Sequence, residues 1–483
     1  MPTPDEAFAA GCQALAGIAP HANYQQDGIK WQLGRELGNE QGACRGGILA
    51  DEPGLGKTIT MLTTMLANPR WPTLVFAPVS CVDEWYHAIH TYCKGTRALK
   101  LHKDFTCLPR NVHVLVAPIS CLQRGYGRAS AAEALPPCLM PTEQWKRIVF
   151  DEAHLLKNRE TKTYANLMRV AEAVDAKWAL TGTPTSGKPS DLLSLGAFVD
   201  PSLQSIGPIR DAMLRRTKDD VAAEGKVSLA AFHMHVELLD LTLVEREAYD
   251  ALLKLLRKRR PQGTRGMQAS LHELRQLCTH PRLVLAKSGP IMPEAARQPG
   301  FQSTKLARVV GLVTSKYEAD HKILVLCQYR AEMALLQECL AQARVPCMTF
   351  HGGTPMAARH EIVKGMRDDA INIVLLMQMQ AGGVGINLER VSVVIVLTPD
   401  YDPMMQLQAV SRAHRLTTRQ PVHCYVMACR DTIEHRTVAK QYAKGTRITS
   451  LTNDGSWQKS LGLDLLKDEL SDVPLHRDGD PAL

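Results

Sequence analysis

The chain has 483 residues, 45% of them hydrophobic and 22% charged, which is ordinary for a globular protein of about two to four domains. Its net charge of +8 is compatible with a polyanionic partner but does not identify one. The thirteen cysteines include no C-x-x-C pair, the N-terminus lacks a cationic and apolar signal, and apolar runs are no longer than a strand. These features predict an intracellular protein and argue against zinc-ribbon, secreted and membrane-spanning classes.

The first candidate functional residue lies in the stretch 21–33, which predicts a short helix. Gln25 has a side-chain amide with paired donor and acceptor groups, as an adenine edge requires. A solvated helix glutamine explains the same stretch, so its interpretation depends on the segments that follow.

Residues 48–60, ILADEPGLGKTIT, run from an apolar strand into a glycine loop and then an amphipathic helix. This is the order of a phosphate-binding loop, whose backbone N–H groups and helix N-terminus bind phosphate oxygens. Lys57 would reach the β- and γ-phosphates, and the Thr58 hydroxyl would bind Mg²⁺. The strict pattern has glycine where this chain has Asp51, so the motif needs support from the rest of the chain. The loop residues predicted to bind nucleotide are Asp51, Glu52, Pro53, Gly54, Leu55, Gly56, Lys57 and Thr58.

Apolar runs at 73–80, 112–120 and 147–150, followed by a shorter one at 178–180, alternate with helix-length stretches. This alternation predicts the α/β class, with a mostly parallel sheet covered by helices on both faces. Ligands of such sheets bind at the carboxyl ends of the strands. Polar turns follow these runs, so we expect the turns to lie close together in one site.

Two carboxylates, Asp151 and Glu152, follow one of these strands directly. Such a pair is commonly a cap, but beside a phosphate loop an aspartate can hold Mg²⁺ and a glutamate can deprotonate water. His154 is either a helix-surface residue or a link between this pair and a neighbouring turn. The next turn, Thr181 to Thr183, closes the following strand.

The middle of the chain loses the strand–helix alternation. Residues 213–221, MLRRTKDDV, form a basic and then acidic cluster, and the pattern from about 236 to 286 is helical. Residues 257–260 are basic, which fits a DNA-facing patch, a nuclear import signal or a solvated helix face. Residues 287–303 are rich in proline, glycine and serine and predict a linker at a domain boundary.

A second α/β lobe without its own phosphate loop is predicted from strand-like runs at 322–327, 346–350, 372–377, 391–397 and 422–427. It contains a glycine turn at 381–388 and the stretch 406–416, which places Arg412 and Arg415 three apart on one predicted helix face. These arginines could pair with surface carboxylates or stabilise a transferring phosphoryl group.

Ten blocks follow one another in a family-specific order across about residues 20–440: YQQDGIKW, DEPGLGKT, APVSCVDEW, FDEAHLLKN, LTGTP, MLRRTKDDV, LRQLCTHPRLV, ILVLCQYR, AGGVGINL and QAVSRAHRL. In this order the chain resembles the Swi/Snf-like family of superfamily 2 helicase-type ATPases. These are DEAH-box translocases of double-stranded DNA, and this chain resembles a compact version.

The resemblance implies two RecA-like lobes with parallel sheets and helical protrusions between them. The expected domains are an ATP-binding lobe over 1–222, a helical protrusion and linker over 223–302, a helicase lobe over 303–450 and a partly disordered tail over 451–483. ATP would bind in the cleft between the lobes, and DNA would lie across both.

The resemblance also implies roles for single residues. Gln25 would read adenine, Asp151 would bind Mg²⁺ with Thr58, and Glu152 would act as the base. Arg412 and Arg415 would be arginine fingers, with Gly385 and Gln408 beside the ATP. The residues implied in coupling or DNA contact are Ser80, His154, Thr181, Gly182, Thr183, Gly352, Gly353, Gly382, Gly383 and Asn387.

Four departures from the family pattern concern the coupling of ATP to DNA. Pro53 stands where the family usually has methionine, and Gln-Met-Gln at 378–380 replaces Ser-Thr-Arg or Ser-Thr-Lys. Ser411 replaces the usual aspartate, and Leu-Thr-Thr at 416–418 replaces Ile-Gly-Gln. The short segment between LTGTP and MLRRTK predicts a reduced first protrusion.

The expected function is therefore a DNA-stimulated ATPase, using ATP and Mg²⁺, that moves along duplex DNA as a monomeric motor and remodels protein–DNA complexes. The alternatives are a conventional helicase that unwinds DNA or RNA, and a DNA-binding scaffold that does not cycle. Expected partners are the DNA phosphate backbone, nucleosomes, and transcription or repair proteins. The expected location is the nucleus for a eukaryotic or viral protein, and otherwise the cytoplasm or nucleoid.

Overall fold

A computed structural model of the chain describes residues 2–18, 20, 23–38, 45–102, 105, 107–123, 135–140, 144–223, 230–259, 263–368, 373–383, 388–415 and 418–452. The chain forms two compact units, of which the first extends to Ser228 and the second follows from Leu229. Among the described residues, no helix combines the length and hydropathy needed to cross a bilayer.

The first unit is built on a seven-stranded parallel sheet in the order β3-β4-β2-β5-β6-β1-β7. Its strands are β1 (Gly47–Leu49), β2 (Thr73–Ala77), β3 (Ala98–Lys100), β4 (Val114–Pro118), β5 (Arg147–Phe150), β6 (Ala176–Leu180) and β7 (Met213–Leu214). The central strands are buried along their whole length, as is usual when helices cover both faces of a parallel sheet.

Eight helices accompany this sheet among the described residues. They are α1 (Pro4–Ala14), α2 (Tyr24–Leu37), α3 (Lys57–Ala67), α4 (Val79–Tyr92), α5 (Lys162–Val170), α6 (Pro189–Val199), α7 (Ile206–Asp211) and α8 (Lys218–Ala223). Local sequence sets several of their starts: Thr3 and Glu6 form a capping box before α1, and the Thr161 hydroxyl accepts the Tyr164 N–H at the start of α5. The apolar faces of α3 and α4 pack on the sheet around Met61 and Trp85.

The second unit contains a six-stranded parallel sheet in the order β10-β11-β9-β12-β13-β8. Its strands are β8 (Phe232–Leu239), β9 (Ile323–Cys327), β10 (Cys347–Phe350), β11 (Val374–Gln378), β12 (Val393–Val396) and β13 (Val422–Cys429). Its helices are α9 (Leu243–Arg259), α10 (Gly263–Thr279), α11 (Leu285–Ser288), α12 (Glu294–Arg297), α13 (Thr304–Glu318), α14 (Arg330–Gln342), α15 (Met356–Arg367), α16 (Pro403–Val410) and α17 (Ile433–Thr452). The two sheets confirm the predicted α/β class with two parallel-sheet lobes.

The middle of the chain differs from its predicted helical pattern at one point. Strand β8 occupies 232–239 and pairs with β13 along its full length, with Val236 opposite Val426. The helical interpretation of residues 236–239 is therefore wrong, because pairing with a strand about 190 residues later leaves no short-range signal. Residues 287–303, interpreted above as a linker, include Met292 and Ala296, which are buried in a cluster with α9 and α10. The predicted domain limits at 222 and 302 stay predictions.

Candidate nucleotide site

The loop between β1 and α3 has the backbone shape that anion binding requires. Gly54 and Gly56 have φ values of 97° and 80°, and Gly56 is the residue that precedes α3. A side chain at Gly56 would be strained and would collide with the Gln25 amide, so glycine is needed there for both reasons. The loop delivers Lys57 and Thr58 to the first turn of α3, at the carboxyl end of β1.

Gln25 lies against this loop and not on a solvated surface. Its Nε2 donates to the Leu55 carbonyl at 3.0 Å, and the Tyr24 hydroxyl donates to the same oxygen at 3.1 Å. Both side chains are buried. The start of α2 is thus attached to the phosphate loop, and the adenine-reading role of Gln25 stays a prediction.

The Lys57 ammonium lies inside the loop and donates to the Asp51 carbonyl at 2.7 Å. Burial lowers the pKa of Lys57, and the carboxylates of Glu152, Asp51 and Asp151 oppose that shift. These carboxylates therefore lie near the lysine, although Asp51 and Asp151 are a hundred residues apart. The ends of β1 and β5 meet at one edge of the sheet as predicted.

Asp151 is held by two donors. Trp85 Nε1 donates to Asp151 Oδ2 at 2.8 Å, and the Glu152 N–H donates to Oδ1 at 2.9 Å. Burial and the charge of Glu152 raise the pKa of Asp151 to about 6, against the lowering effect of both hydrogen bonds and Lys57. In the sequence Trp85 is indistinguishable from an apolar residue on the buried face of a helix, so no pattern assigns it to the site.

The turn that follows β5, residues 151–154, places His154 in contact with Glu152. Glu152 has a φ of 49°, a left-handed conformation that is uncommon for a residue with a side chain. His154 Nδ1 lies 3.0 Å from Glu152 Oε2, so the histidine contacts the carboxylate proposed as the base. The side chain of Glu152 is 32% exposed, which keeps it within reach of water.

The turn at 181–183 packs directly on the phosphate loop. A side chain on Gly182 would lie 2.5 Å from Cγ of Pro53, so the proline ring fills the space above this glycine. Thr181 Oγ1 accepts the Thr183 N–H at 3.0 Å, and both threonines are buried. The Pro53 ring therefore requires a residue without a side chain at position 182. The coupling and DNA-contact roles of this turn stay predictions.

Basic side chains of the MLRRTK segment contact the same loop, although no motif in the sequence assigns them to the site. Arg215 Nη1 donates to the Ala50 carbonyl at 2.8 Å and lies 3.3 Å from the Gly182 carbonyl. Arg216 and Lys218 form ion pairs with Asp51 and Glu52. The carboxylates of Asp51 and Glu52, predicted among the nucleotide-binding residues, thus face basic side chains of this segment. The signal in the sequence was the double arginine itself.

In the second unit, Arg412 and Arg415 do not share a helix face. Helix α16 ends at Val410, and both arginines follow it in a turn, so that part of the prediction is wrong. The turn has its own bonds: the Arg412 carbonyl accepts the Leu388 N–H at 3.3 Å, and Thr418 Oγ1 accepts the Arg415 N–H at 3.0 Å. Gln408 is half-buried on α16.

The predicted DNA-contact residues lie on separate turns. Gly352 and Gly353 are exposed in a turn between β10 and α15, where Arg359 Nη2 donates to the Gly352 carbonyl at 3.1 Å. Ser80 is half-buried in the first turn of α4. Gly382 and Gly383 end a 3₁₀ turn at Met379–Gly383. The predicted Gly385 and Asn387 lie outside the described residues, as does the tail from 453 onward.

Two family models match the chain in the order that the motifs predict. Residues 24–208 match the SNF2-related domain, and residues 304–417 match the helicase conserved C-terminal domain. The first match contains Gln25, Lys57 and Glu152, and the second contains Gln408, Arg412 and Arg415. The two matches leave the segment with β8 and helices α9 to α12 between them.

Similar proteins come from viruses, animals and plants. The chain is 26% identical to the probable global transactivator of Orgyia pseudotsugata multicapsid polyhedrosis virus, over 93% of each chain. It is 26% identical to human chromodomain-helicase-DNA-binding protein 7 over 87% of its own length but 15% of the relative's. It is 25% identical to Arabidopsis thaliana ATP-dependent DNA helicase DDM1, covering 90% of itself and 62% of the relative. A solved SWI2/SNF2 ATPase core from Sulfolobus solfataricus, in complex with double-stranded DNA, is 22% identical with a TM-score of 0.38, over 93% of this chain and 96% of that one.

Proposed function

The chain belongs to the Swi/Snf-like family of superfamily 2 helicase-type ATPases, and from this premise we propose that it is a DNA-dependent ATPase that translocates along double-stranded DNA. The observation that carries the proposal is the gathering of Lys57, Asp151 and Glu152 at the carboxyl end of one parallel sheet, beneath a glycine loop. These are the groups that ATP hydrolysis needs for phosphate binding, metal binding and water activation.

In the proposed reaction, the loop N–H groups and the Lys57 ammonium bind the β- and γ-phosphates of ATP. Partial burial lowers the pKa of Lys57, and an entering anion would raise it again, because a negative charge favours the protonated form. Gln25 binds the adenine edge from α2. Glu152 accepts a proton from the attacking water, and His154 orients the Glu152 carboxylate through the 3.0 Å contact.

Mg²⁺ would be held by the Thr58 hydroxyl and the Asp151 carboxylate, and it would neutralise charge on the phosphates. Both groups are hard oxygen donors of the kind that Mg²⁺ prefers. The raised pKa of Asp151 supports this fit, because a cation beside a buried carboxylate favours its ionised form. Trp85 holds the carboxylate in place from the protein side.

The second unit contributes to the reaction in this proposal through Arg412 and Arg415. Each would donate to the γ-phosphate of ATP bound to the first unit and stabilise the charge that develops during transfer. Thr181 to Thr183, packed against Pro53, would pass the state of the loop on to the DNA-binding turns.

Duplex DNA is the proposed track, with contacts to phosphates from Ser80, Gly352, Gly353 and the glycine turn that follows Gln380. Exposed backbone at Gly352 and Gly353 supports non-sequence-specific contacts of this kind. Relatives named as chromodomain-helicase-DNA-binding proteins support remodelling of protein–DNA complexes, and location in the nucleus of a eukaryotic or virus-infected cell. Because the chain spans only a small part of those relatives, nucleosomes, transcription proteins and repair proteins stay proposed partners.

The decisive measurement is ATP hydrolysis by the full chain with Mg²⁺, with and without duplex DNA. We expect duplex DNA to stimulate turnover, and Lys57→Ala or Glu152→Gln to lower it by about 100-fold or more. Lys94→Ala and Glu172→Gln alter exposed residues of the same unit and should retain full activity.

The outcomes distinguish the alternatives. Undiminished hydrolysis in the Lys57 or Glu152 variant would contradict the site assignment. Stimulation by single strands or RNA alone, with strand separation, would instead identify an unwinding helicase. Tight ATP binding without turnover on any nucleic acid would identify a scaffold that does not cycle.

A further inference from the structure

The segment 213–221 has no part in the reaction described above, yet it runs alongside the phosphate loop. Strand β7 pairs in parallel with β1, with Leu214 opposite Leu49. The backbone contact then continues past the strand, because the Glu52 N–H donates to the Arg216 carbonyl at 2.9 Å. The first half of the loop is therefore bonded to this segment along its backbone.

The Arg216 side chain also contacts the Asp51 carboxylate in the loop. Its Nε lies 3.0 Å from Asp51 Oδ1 and its Nη2 lies 2.5 Å from Oδ2, the two-point geometry that a guanidinium forms with a carboxylate. Asp51 is fully buried, and the Arg216 side chain is only 12% exposed. Little water competes for this pair.

The same guanidinium reaches α2. Arg216 Nη1 donates to the Tyr24 carbonyl, and the group lies over the Tyr24 ring at 5.4 Å from its centroid. The Tyr24 hydroxyl and the adjacent Gln25 amide both donate to the Leu55 carbonyl on the other side of the loop. Arg216 thus joins the start of α2 to the phosphate loop.

The charge of this pair matters because of where Asp51 lies. The loop exists to bind an anion, and a carboxylate in its first position would repel a triphosphate across a poorly screened site. Arg216 cancels that charge, and the Lys218 ammonium lies 3.6 Å from Glu52 Oε1, while the Lys218 backbone N–H donates to Glu52 Oε2 at 2.8 Å. The basic part of the segment therefore matches the acidic part of the loop.

We propose that Arg216 is a positioning residue for nucleotide binding: by pairing with Asp51 and holding Tyr24, it makes an acidic phosphate loop able to accept a nucleoside triphosphate. The proposal rests on the proposed function, because it assumes that the loop binds ATP. It predicts that Asp51 and Arg216 act as one unit, so that their substitutions are strongly non-additive.

The test combines calorimetric binding of Mg-ATP with steady-state hydrolysis on duplex DNA. Arg216→Gln is expected to weaken ATP binding and raise KM for ATP by about tenfold, with a smaller change in kcat, because it leaves the Asp51 charge unpaired. The double variant Asp51→Asn with Arg216→Gln should recover most of that loss. Arg216→Lys should give an ATP affinity and a KM between those of the wild type and Arg216→Gln, because lysine retains the charge but cannot form two parallel hydrogen bonds with the carboxylate. Arg169→Gln, an exposed arginine on α5, is the matched control.

Wild-type ATP affinity in Arg216→Gln, or a double variant no better than Arg216→Gln, would overturn the proposal. If Arg216→Gln fails to fold, a wild-type KM in folded Arg216→Lys would overturn it, and a raised KM would support it. The calorimetric measurement of ATP binding does not depend on turnover. If the chain binds ATP but is not stimulated by DNA, the proposed function is contradicted, and the ATP affinities of the Arg216 variants still test the role of Arg216.

Discussion

In the first sheet, one arginine–carboxylate pair lies near the amino ends of the strands and another lies near their carboxyl ends. The two pairs differ in their surroundings. At the amino ends of the strands, Arg147 on β5 contacts Glu36 on α2 at 2.7 and 2.6 Å, and both side chains are fully buried. Trp178 Nε1 donates to the same carboxylate at 2.8 Å. At the carboxyl ends, Arg216 makes the corresponding pair with Asp51.

The amino-end pair is enclosed by protein groups alone. Arg147 also donates to the Asn68 carbonyl and the Thr73 hydroxyl, so its contacts join β5, β2 and two helices. The carboxyl-end pair borders a loop whose Lys57 is only half-buried. The same two chemical groups thus stabilise the fold at one end of the sheet and, in our proposal, prepare a ligand site at the other. The first two predictions below test this separation, and the third concerns the amino end of the second sheet.

Breaking the amino-end pair should have the largest effect. Arg147→Met would remove the two-point partner of the buried Glu36 carboxylate and leave it Asn68, Trp178 and an Arg70 contact at 3.8 Å. It is expected to lower the free energy of unfolding by about 3 kcal/mol. Urea unfolding followed by circular dichroism measures this loss. Hydrolysis per folded molecule should be unchanged, because the pair lies at the far end of the strands from the loop.

Adding Glu36→Gln to Arg147→Met removes the buried carboxylate charge and should restore part of the lost stability. A loss below about 1 kcal/mol in the single variant would show that Arg70 or water replaces Arg147 and would contradict its role as the main partner of Glu36. A change in KM for ATP would contradict the separation of the two ends.

An intermediate effect is expected at Trp85, which acts on the carboxyl end. Trp85→Phe keeps the packed ring but removes the N–H donated to Asp151, a hydrogen bond to a charged group worth about 1.5 kcal/mol or roughly tenfold in activity. Because that bond lowers the pKa of Asp151, its loss should raise the pKa further above about 6. The rate of ATP hydrolysis should therefore fall more at pH 6 than at pH 8.

Trp145→Phe is the matched control, since Trp145 is also buried and donates to the Leu139 carbonyl at 3.1 Å. It should leave the pH profile of hydrolysis unchanged. A uniform loss across the pH range in Trp85→Phe would show that the ring and not its N–H is what Asp151 needs.

The smallest effect concerns the amino end of the second sheet, where His235, His423 and His321 lie near the strand starts. Burial is the main cause that lowers the pKa of each, and the charge of Lys316 contributes to all three. His233 adds to the lowering at His235 and His423, while Glu237 opposes it at His235 and Asp320 opposes it at His321. A histidine with a lowered folded-state pKa stabilises the fold above its ordinary value of 6.5 and loses that contribution as the pH falls through it.

Unfolding of the chain in urea should therefore require less denaturant at pH 5.5 than at pH 7.5. His423→Gln should reduce this difference, because it removes the ring that faces His235 at 3.3 Å. His360→Gln, on the exposed face of α15, serves as the control and should not alter the difference. Equal pH dependence in both variants would exclude the cluster as its source.

Much of the site follows from short-range patterns. The phosphate loop and the carboxylates after β5 are recognisable because each is a few residues at fixed spacing beside an apolar run. Their convergence is also predictable, since parallel strands end at one edge of a sheet. Strand β8 and the end of α16 before Arg412 were not predictable, because pairing and turn bonds with distant residues decide them.

Local periodicity and spacing encode the α/β class, the order of the motifs and the identity of the groups at the strand ends, so these properties can be predicted from the chain. Which side chains support those groups depends on tertiary packing. Trp85 holds Asp151 from 66 positions away, and Arg216 holds Asp51 from 165 positions away. Such contacts depend on how helices and edge strands pack on the sheet, and no local pattern in the chain records that packing.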